Sequence, residues 1–316
     1  MAGPDDSPDR KPERPRERAA WVVGATGLLG SAVCRHLLAQ GRELRTTDVP
    51  WGDPHAAIDA LVRAAEQLPE RGWETYWCAG AGVVGSSQAE LDAEVAVLEG
   101  FLSRWEPRSD PAGNGFFLAS SAGGVYAGAA GAPFTEHTEP AAISPYGKAK
   151  LRSEEIATDF AVRTSTALLV GRLANLYGPG QNLDKPQGLI SQLCQAQLTR
   201  QPLSVYVPLD TMRDYLFVDD AAAMTVSGLG AVTDRGRRAL KVLASERSTT
   251  VGAVLGDLHR VTRRRPPVVL GVSASSRYQV HDVRLRSVAW PRTSAFARTP
   301  MVSGIAATIA SLRRTP

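Results

Sequence analysis

Tyr146 and Lys150, in the run SPYGKAK, stand four positions apart on a segment that reads as a helix. One turn separates them, so the phenol and the ammonium point to the same side. That spacing suits a tyrosine acid/base whose pKa is lowered by an adjacent cation. A Y-x-x-x-K pair alone arises by chance in many chains. Here it follows a glycine-rich strand-to-helix turn, WVVGATGLLGSAV, near the N-terminus. Together the two motifs predict a chain that holds a dinucleotide and moves a proton and a hydride on a molecule bound beside it.

The turn reads Gly24-Ala-Thr-Gly27-Leu28-Leu29-Gly30, a G-x-x-G-x-x-G spacing in place of G-x-G-x-x-G. The physics is shared. Absent side chains let the backbone approach a pyrophosphate, and the helix N-terminus presents amide donors to its charge. Asp48 lies 24 residues after Gly24, near the end of the next strand. A carboxylate there accepts hydrogen bonds from a ribose 2′-hydroxyl and repels a 2′-phosphate. Val49 and Pro50 offer no compensating cation, although Arg45 is near. The reading is NAD over NADP.

The elements that position these residues alternate. Trp21–Val23 is a strand, and Ser31–Gln40 a helix stopped by Gly41. Leu44–Val49 is a second strand, Val49–Gly52 a truncated third, and Pro54–Gln67 a helix. Strands at Glu74–Ala79, Gly115–Ser121 and Thr166–Leu173 alternate with helices at Leu91–Trp105 and from Pro145. This order predicts an α/β Rossmann-type doubly wound parallel sheet. After Gly178 the alternation weakens, ending in a helix at Val302–Arg313. The expected organisation is a tail over 1–18, an NAD-binding domain over 19–178, and a smaller mixed α/β substrate lobe over 179–316, interwoven with the end of the sheet.

The 316 residues include 43% hydrophobic and 22% charged side chains, ordinary for a globular protein. No apolar run reaches the roughly 18 residues of a membrane span. The first 18 residues are proline-rich, with five acids and five bases and no signal-type apolar stretch, and read as disordered. The net charge of +4 belongs to the body, in clusters such as Arg235–Arg238 and Arg260–Arg265. No interleaved aromatics mark these as a nucleic-acid surface, whereas a positive body tolerates an anionic substrate. Cys34, Cys78 and Cys194 have neither pairing nor metal spacing, which indicates a reducing, cytoplasmic setting and no metal site.

The chain resembles the extended short-chain dehydrogenase/reductase family, in its branch of nucleotide-sugar epimerases, dehydratases and reductases. The matching pieces are GATGLLG, YWCAGAG, FFLASSAGGVYAG, TEPAAISPYGKAK, RLANLYGPG and RDYLFVDDAA, in the family's order over Ala20–Ala223. The resemblance implies that Tyr146 is the acid/base and that Lys150 holds the nicotinamide ribose. It implies that Ala79 and Gly80 border the cofactor, and that Asn175 and Arg213 contact a substrate diphosphate. A hydroxyl at the end of the Gly115–Ser121 strand should complete the catalytic set. Counting back from Tyr126 gives Ala122, which has none; counting back from Tyr146 gives Ser121, with Ser120 second. Asp219 and Asp220 read as caps of the following helix, and His137 as a surface residue. Relatives commonly pair as homodimers through two helices, here Leu91–Trp105 and Pro145–Phe160. Val95, Leu98 and Trp105 share a stripe that fits such a contact or an internal core.

In that branch the first step is shared: hydride leaves a sugar carbon while the phenolate takes the hydroxyl proton. Dehydratases place an acidic pair after the catalytic strand, where this chain has Ala122, Gly123 and Gly124. Dehydration is therefore disfavoured, as is oxidative decarboxylation. Epimerisation, at carbon four in relatives, is favoured by Asp48 and by the small wall at Gly123 and Gly124. A nucleotide-sugar 4-ketoreductase using NAD(P)H is the alternative. A dinucleotide sensor without catalysis is a further one, although sensors of this fold lose the tyrosine or the lysine.

Overall fold

The computed structural model describes residues 18–107, 113–184, 187–271 and 280–314. The N-terminal part contains β1 (Ala19–Val23), α1 (Leu28–Ala39), β2 (Leu44–Thr46), α2 (Pro54–Glu66), β3 (Trp73–Trp77), α3 (Gln88–Arg104) and β4 (Gly115–Ser121). Then come α4 (Ala122–Val125), α5 (Pro145–Thr164), β5 (Ala167–Leu173), β6 (Asn175–Tyr177), α6 (Leu189–Thr199), β7 (Leu203–Val205), β8 (Met212–Arg213) and β9 (Tyr215–Phe217). The chain closes with α7 (Val218–Thr233), β10 (Arg238–Leu243), β11 (Thr249–Thr250), α8 (Val251–Thr262), β12 (Val268–Leu270), β13 (Asp282–Val283) and α9 (Met301–Leu312).

Six strands form one parallel sheet in the order β10-β5-β4-β3-β1-β2. The order reverses at β1, which lies between β2 and β3 and leaves a crevice at its C-terminal end, where doubly wound sheets bind ligands. Strand alternation divides the core. Ala20 and Val22 face α1 and α7, whereas Trp21 and Val23 face the layer of α2, α3 and α5. The second layer is aromatic: Trp105 stacks on Phe101 at 5.2 Å and on Phe160 at 5.1 Å. Each such pair adds about 0.5–1.5 kcal/mol beyond its buried area. β10, from the C-terminal part, completes the sheet beside β5, while α6, α8 and α9 enclose a separate core around Tyr177 and Phe217.

Several boundaries differ from the sequence reading. Val49–Gly52 is not a strand. Trp51 N–H donates to the Val49 carbonyl at 2.9 Å and Asp53 N–H to that of Pro50 at 3.0 Å, so the segment turns. Pro50 has no ladder donor, and Asp53 caps α2 by accepting from His55 and Ala56 N–H. β2 therefore ends at Thr46 and forms the sheet edge. α1 begins at Leu28, directly on the glycine turn, rather than at Ser31. α3 begins at Gln88 because Ser87 and Glu90 form a capping box. Val95, Leu98 and Trp105 are buried within the chain at 3%, 2% and 4% exposure, which decides their stripe as internal core.

Asp219 and Asp220 do not cap α7, whose N-cap is Phe217. They lie in its first turn and reach other elements, Asp219 to Arg35 at 2.7 Å and Asp220 to the N–H and hydroxyl of Thr299. Of the expected tail, Arg18 is fixed by Glu74 at 3.3 Å and Asp234 at 2.7 Å; residues 1–17 lie outside the described residues.

Candidate active site

The parallel strands deliver the candidate residues to one edge of the sheet. β1 runs into the glycine turn, β3 into Cys78–Gly82, β4 into Ser121 and β5 into Asn175. At Gly24, φ is +82° and a Cβ would lie 2.7 Å from the Ala79 Cα, so a side chain there is excluded twice. A Cβ on Gly30 would collide with the Gly24 carbonyl. These two glycines let α1 begin flush against the loop after β3. Gly27 is the N-cap and brings no side chain to the first-turn amides. Those donors form an anion-binding end, which fits a dinucleotide pyrophosphate. Leu29 is buried in the core, so it contributes backbone only.

Asp48 is exposed just beyond β2, on the same side as the turn. Trp21 Nε1 donates to Thr47 Oγ1 at 3.0 Å and holds that segment. Arg45 is committed elsewhere, to Glu43 at 2.8 Å and to the Gln67 carbonyl. The nearest cation in sequence thus does not offset Asp48, as a 2′-phosphate site requires.

Tyr146 is the second residue of α5, and its turn is set by Ser144, whose Oγ accepts from Gly147 N–H at 3.1 Å. The half-buried ring lies on Gly124, where a Cβ would be 3.0 Å from Cδ1 and Cε1. Gly147 in turn is pressed against the Gly124 carbonyl. α4 and α5 therefore touch backbone to backbone, and this contact aims the phenol. Lys150 Nζ lies 5.6 Å from the Tyr146 ring centroid. Burial pulls the Lys150 pKa down, but the charges of Tyr146 and Glu94 outweigh it and leave the ammonium above its usual value.

The two serines at the end of β4 separate by strand alternation. Ser120 is buried, and its hydroxyl donates to Glu154 Oε1 at 2.5 Å. Glu154 meets Arg172 at 2.7 Å, and Arg172 Nη1 donates to the Tyr126 hydroxyl at 2.8 Å. Ser120 is thus bound into a buried ion-pair network. Ser121 is less buried and accepts from Gly124 N–H at 3.2 Å, capping α4. A hydroxyl that accepts one bond keeps its proton to donate.

Asn175 and Arg213 lie on neighbouring stretches, at the start of β6 and just before β9. β6 pairs with β9, matching Asn175 with Tyr215, and both Asn175 N–H and Nδ2 donate to the Asp214 carbonyl at 3.1 Å. Arg213 donates to the carbonyls of Met212 and His281 at 2.8 and 3.3 Å. Asp219 pairs with Arg35 at 2.7 Å, and Asp214 Oδ1 accepts from Ser245 N–H at 2.8 Å. His137 is exposed. Among the described residues no group of three His, Cys, Asp or Glu side chains could hold a metal, and no helix is long and apolar enough to cross a membrane.

One residue at the site escaped the sequence reading. Glu94, on α3, contacts Lys150 Nζ through Oε1 at 3.1 Å and accepts from Gly82 N–H through Oε2 at 2.9 Å. A signal was present: Leu91, Glu94, Val95 and Leu98 follow helical spacing, which puts a carboxylate on the inward stripe.

Comparison with known proteins identifies relatives of the chain. Over 95 residues the chain is 32% identical to a dTDP-L-rhamnose 4-epimerase of Burkholderia thailandensis, covering 30% of this chain and 26% of that protein. It is 28% identical to a probable low-salt glycan biosynthesis reductase of Haloferax volcanii, over 80% of this chain and 90% of that one. Among solved structures, a UDP-glucose 4-epimerase from Bifidobacterium longum in complex with NAD+ and UDP shares the fold with a TM-score of 0.76. That likeness covers 94% of this chain and 99% of the other at 18% identity. The matches to the first curated relatives span 26% to 42% of those proteins' lengths. A model of the NAD dependent epimerase/dehydratase family matches residues 20–237, the stretch that carries the glycine turn, the tyrosine–lysine pair and the Asn175–Arg213 pair. With more than half of its length under that match, the chain belongs to the NAD-dependent epimerase/dehydratase family.

Proposed function

We propose that the chain is an NAD-dependent nucleotide-sugar epimerase, inverting carbon four of the sugar through a transient ketone. The observation that carries this reading is the open space at Gly123, just beyond Ser121, where a Cβ would meet nothing within 4 Å. A sugar ring that must present both faces needs such space.

In this reading Tyr146 Oη, as phenolate, takes the proton from the reacting hydroxyl and returns it after the ring has turned. Lys150 favours the phenolate and has donors left for the nicotinamide ribose, since Glu94 takes one of its three. Ser121 donates to the sugar oxygen, while Asn175 and Arg213 hold the diphosphate. Gly24, Gly27, Leu28, Leu29 and Gly30 hold the dinucleotide pyrophosphate, Asp48 its adenosine ribose, and Ala79 and Gly80 border it. The dinucleotide supplies a reversible hydride acceptor when bound. Residues 19–178 would form the cofactor half and 179–316 the substrate half.

The test is the protein as purified, offered UDP-hexoses and dTDP-hexoses. An epimerase retains NAD through gel filtration and interconverts the two carbon-four epimers without net reduction. Tyr146→Phe abolishes turnover and leaves NAD bound. An empty protein that prefers NADPH and consumes it stoichiometrically refutes the reading. That outcome supports a ketoreductase, a second reading kept because a relative spanning 80% of this chain is named as a reductase.

The proposed assembly is a homodimer through α3 and α5. These helices are tied together by Arg152–Glu99 at 2.9 Å, and Ala89, Ala93 and Ala96 leave an exposed stripe of small residues along α3. A monomer mass in solution at micromolar concentration refutes it.

A further inference from the structure

Glu94 does more than fill space. Its two oxygens meet two different donors, the Lys150 ammonium at 3.1 Å and Gly82 N–H at 2.9 Å. Only a carboxylate accepts from both, because an amide presents an NH2 group to one of them. The loop after β3 is shaped to admit it. A Cβ on Gly80 would lie 2.9 Å from Glu94 Oε1, and one on Gly82 would lie 3.2 Å from Oε2. Leu91 crowds the Gly82 position as well. The side chain is 23% exposed and Lys150 11%, so solvent screens this pair less than it screens surface pairs.

A carboxylate on the ammonium has a consequence for the phenol one turn away. A bare ammonium stabilises the phenolate and lowers the tyrosine pKa. A carboxylate bound to that ammonium cancels much of its field at the phenol. Of the other charges on the same helix, Glu154 is matched by Arg172 from β5, and Lys148, two residues beyond Tyr146, is exposed, where solvent screens it. The loop from Ala79 to Val83 brings no charge. The balance around Tyr146 is thus set by Lys150 and Glu94.

We infer that Glu94 is a positioning residue, which holds Lys150 against the cofactor crevice and tempers its effect, so that Tyr146 ionises at a higher pH than it would beside a free ammonium. The inference rests on the acid/base reading of Tyr146. It assigns the enzyme a working range set by a neutralised lysine.

Tyrosinate absorbance of the purified protein, titrated with pH, tests it without a known substrate. Subtracting the trace of Tyr146→Phe isolates Tyr146. Burial has already moved Tyr76, Tyr126, Tyr177 and Tyr215 upward, which thins the background. Glu94→Gln and Glu94→Asn should each shift the Tyr146 midpoint toward acid by about one pH unit, while Glu94→Asp stays near wild type. A purely structural Glu94 would lower the melting temperature and leave the midpoint unmoved. An unmoved or alkaline-shifted midpoint in folded Glu94→Gln or Glu94→Asn overturns the inference, as does an acid shift in Glu94→Asp equal to that of Gln. Failure of the underlying reading is distinct: Tyr146→Phe would then keep turnover with UDP- or dTDP-hexoses, whatever Glu94 does.

Discussion

The buried network behind the catalytic strand makes a demanding prediction about stability. Arg172 and Glu154 are 5% and 11% exposed at their side chains, and they meet through three contacts, Nε to Oε1 at 3.0 Å, Nε to Oε2 at 3.3 Å and Nη2 to Oε2 at 2.7 Å. Arg172→Met leaves the Glu154 carboxylate buried with only the Ser120 hydroxyl as a partner, while Tyr126 keeps its bond to the Thr135 carbonyl at 2.8 Å. Removing one member of a buried pair costs about 3–5 kcal/mol. Glu154→Leu strands the guanidinium in the same way and should cost a similar amount. The double variant removes both charges and leaves only the Ser120 hydroxyl short of an acceptor, at about 1–3 kcal/mol. With a urea m-value of about 3 kcal/mol per M, each single variant should lower the unfolding midpoint by roughly 1 to 1.7 M. The double variant should lie closer to wild type than either single. Urea titration of the four proteins reads this directly. Single variants within about 1 kcal/mol of wild type, or a double variant at the sum of the singles, would refute the claim that these charges act as one unit.

Other expectations are more local. Gly124→Ala forces the Tyr146 ring to give way by a few tenths of an ångström; kcat should fall about tenfold with NAD affinity retained, as steady-state kinetics and nucleotide titration will show. Gly30→Ala drives the start of α1 off the turn, and calorimetry should find NAD affinity lowered by more than about tenfold. Asp48→Asn removes repulsion of a 2′-phosphate, so NADP affinity should rise about tenfold relative to NAD in competition titrations. Burial acts to raise the Glu136 carboxyl, but hydrogen bonds from Ser287, Val288 and Val242 win and hold it below its usual range. A depressed folded value means stability that is complete above the unfolded pKa and lost as pH falls through the folded one. Glu136→Gln should therefore flatten the decline of the melting temperature over the acid range below about pH 4.3, followed by thermal melts.

The chemistry-bearing motifs and most of the sheet were legible because their causes are local. Gly24 and Gly30 are dictated by a turn that leaves no room for Cβ atoms, and Tyr146 and Lys150 by helical spacing. The parallel sheet followed from alternating apolar runs and helical periods. Val49–Gly52 turns where the alternation of elements predicts a strand, because Pro50 lacks a ladder donor and Asp53 caps α2. Asp219 and Asp220 carried the composition of caps, but capping depends on φ and ψ at one position, which packing of α7 against α1 decided.

Tertiary structure alone settled what depends on distance between separate elements. Spacing from Tyr146 favours Ser121 over Ser120, but that Ser120 is bound to an ion pair follows only from the approach of Glu154 and Arg172. Glu94 becomes part of the site only because α3 packs beside α5 and meets a glycine loop that leaves space for a carboxylate. Backbone geometry and short-range spacing are written along the chain. Charges that act on one another across 56 residues of sequence are not, because their effect falls with separation in space, and folding sets that separation.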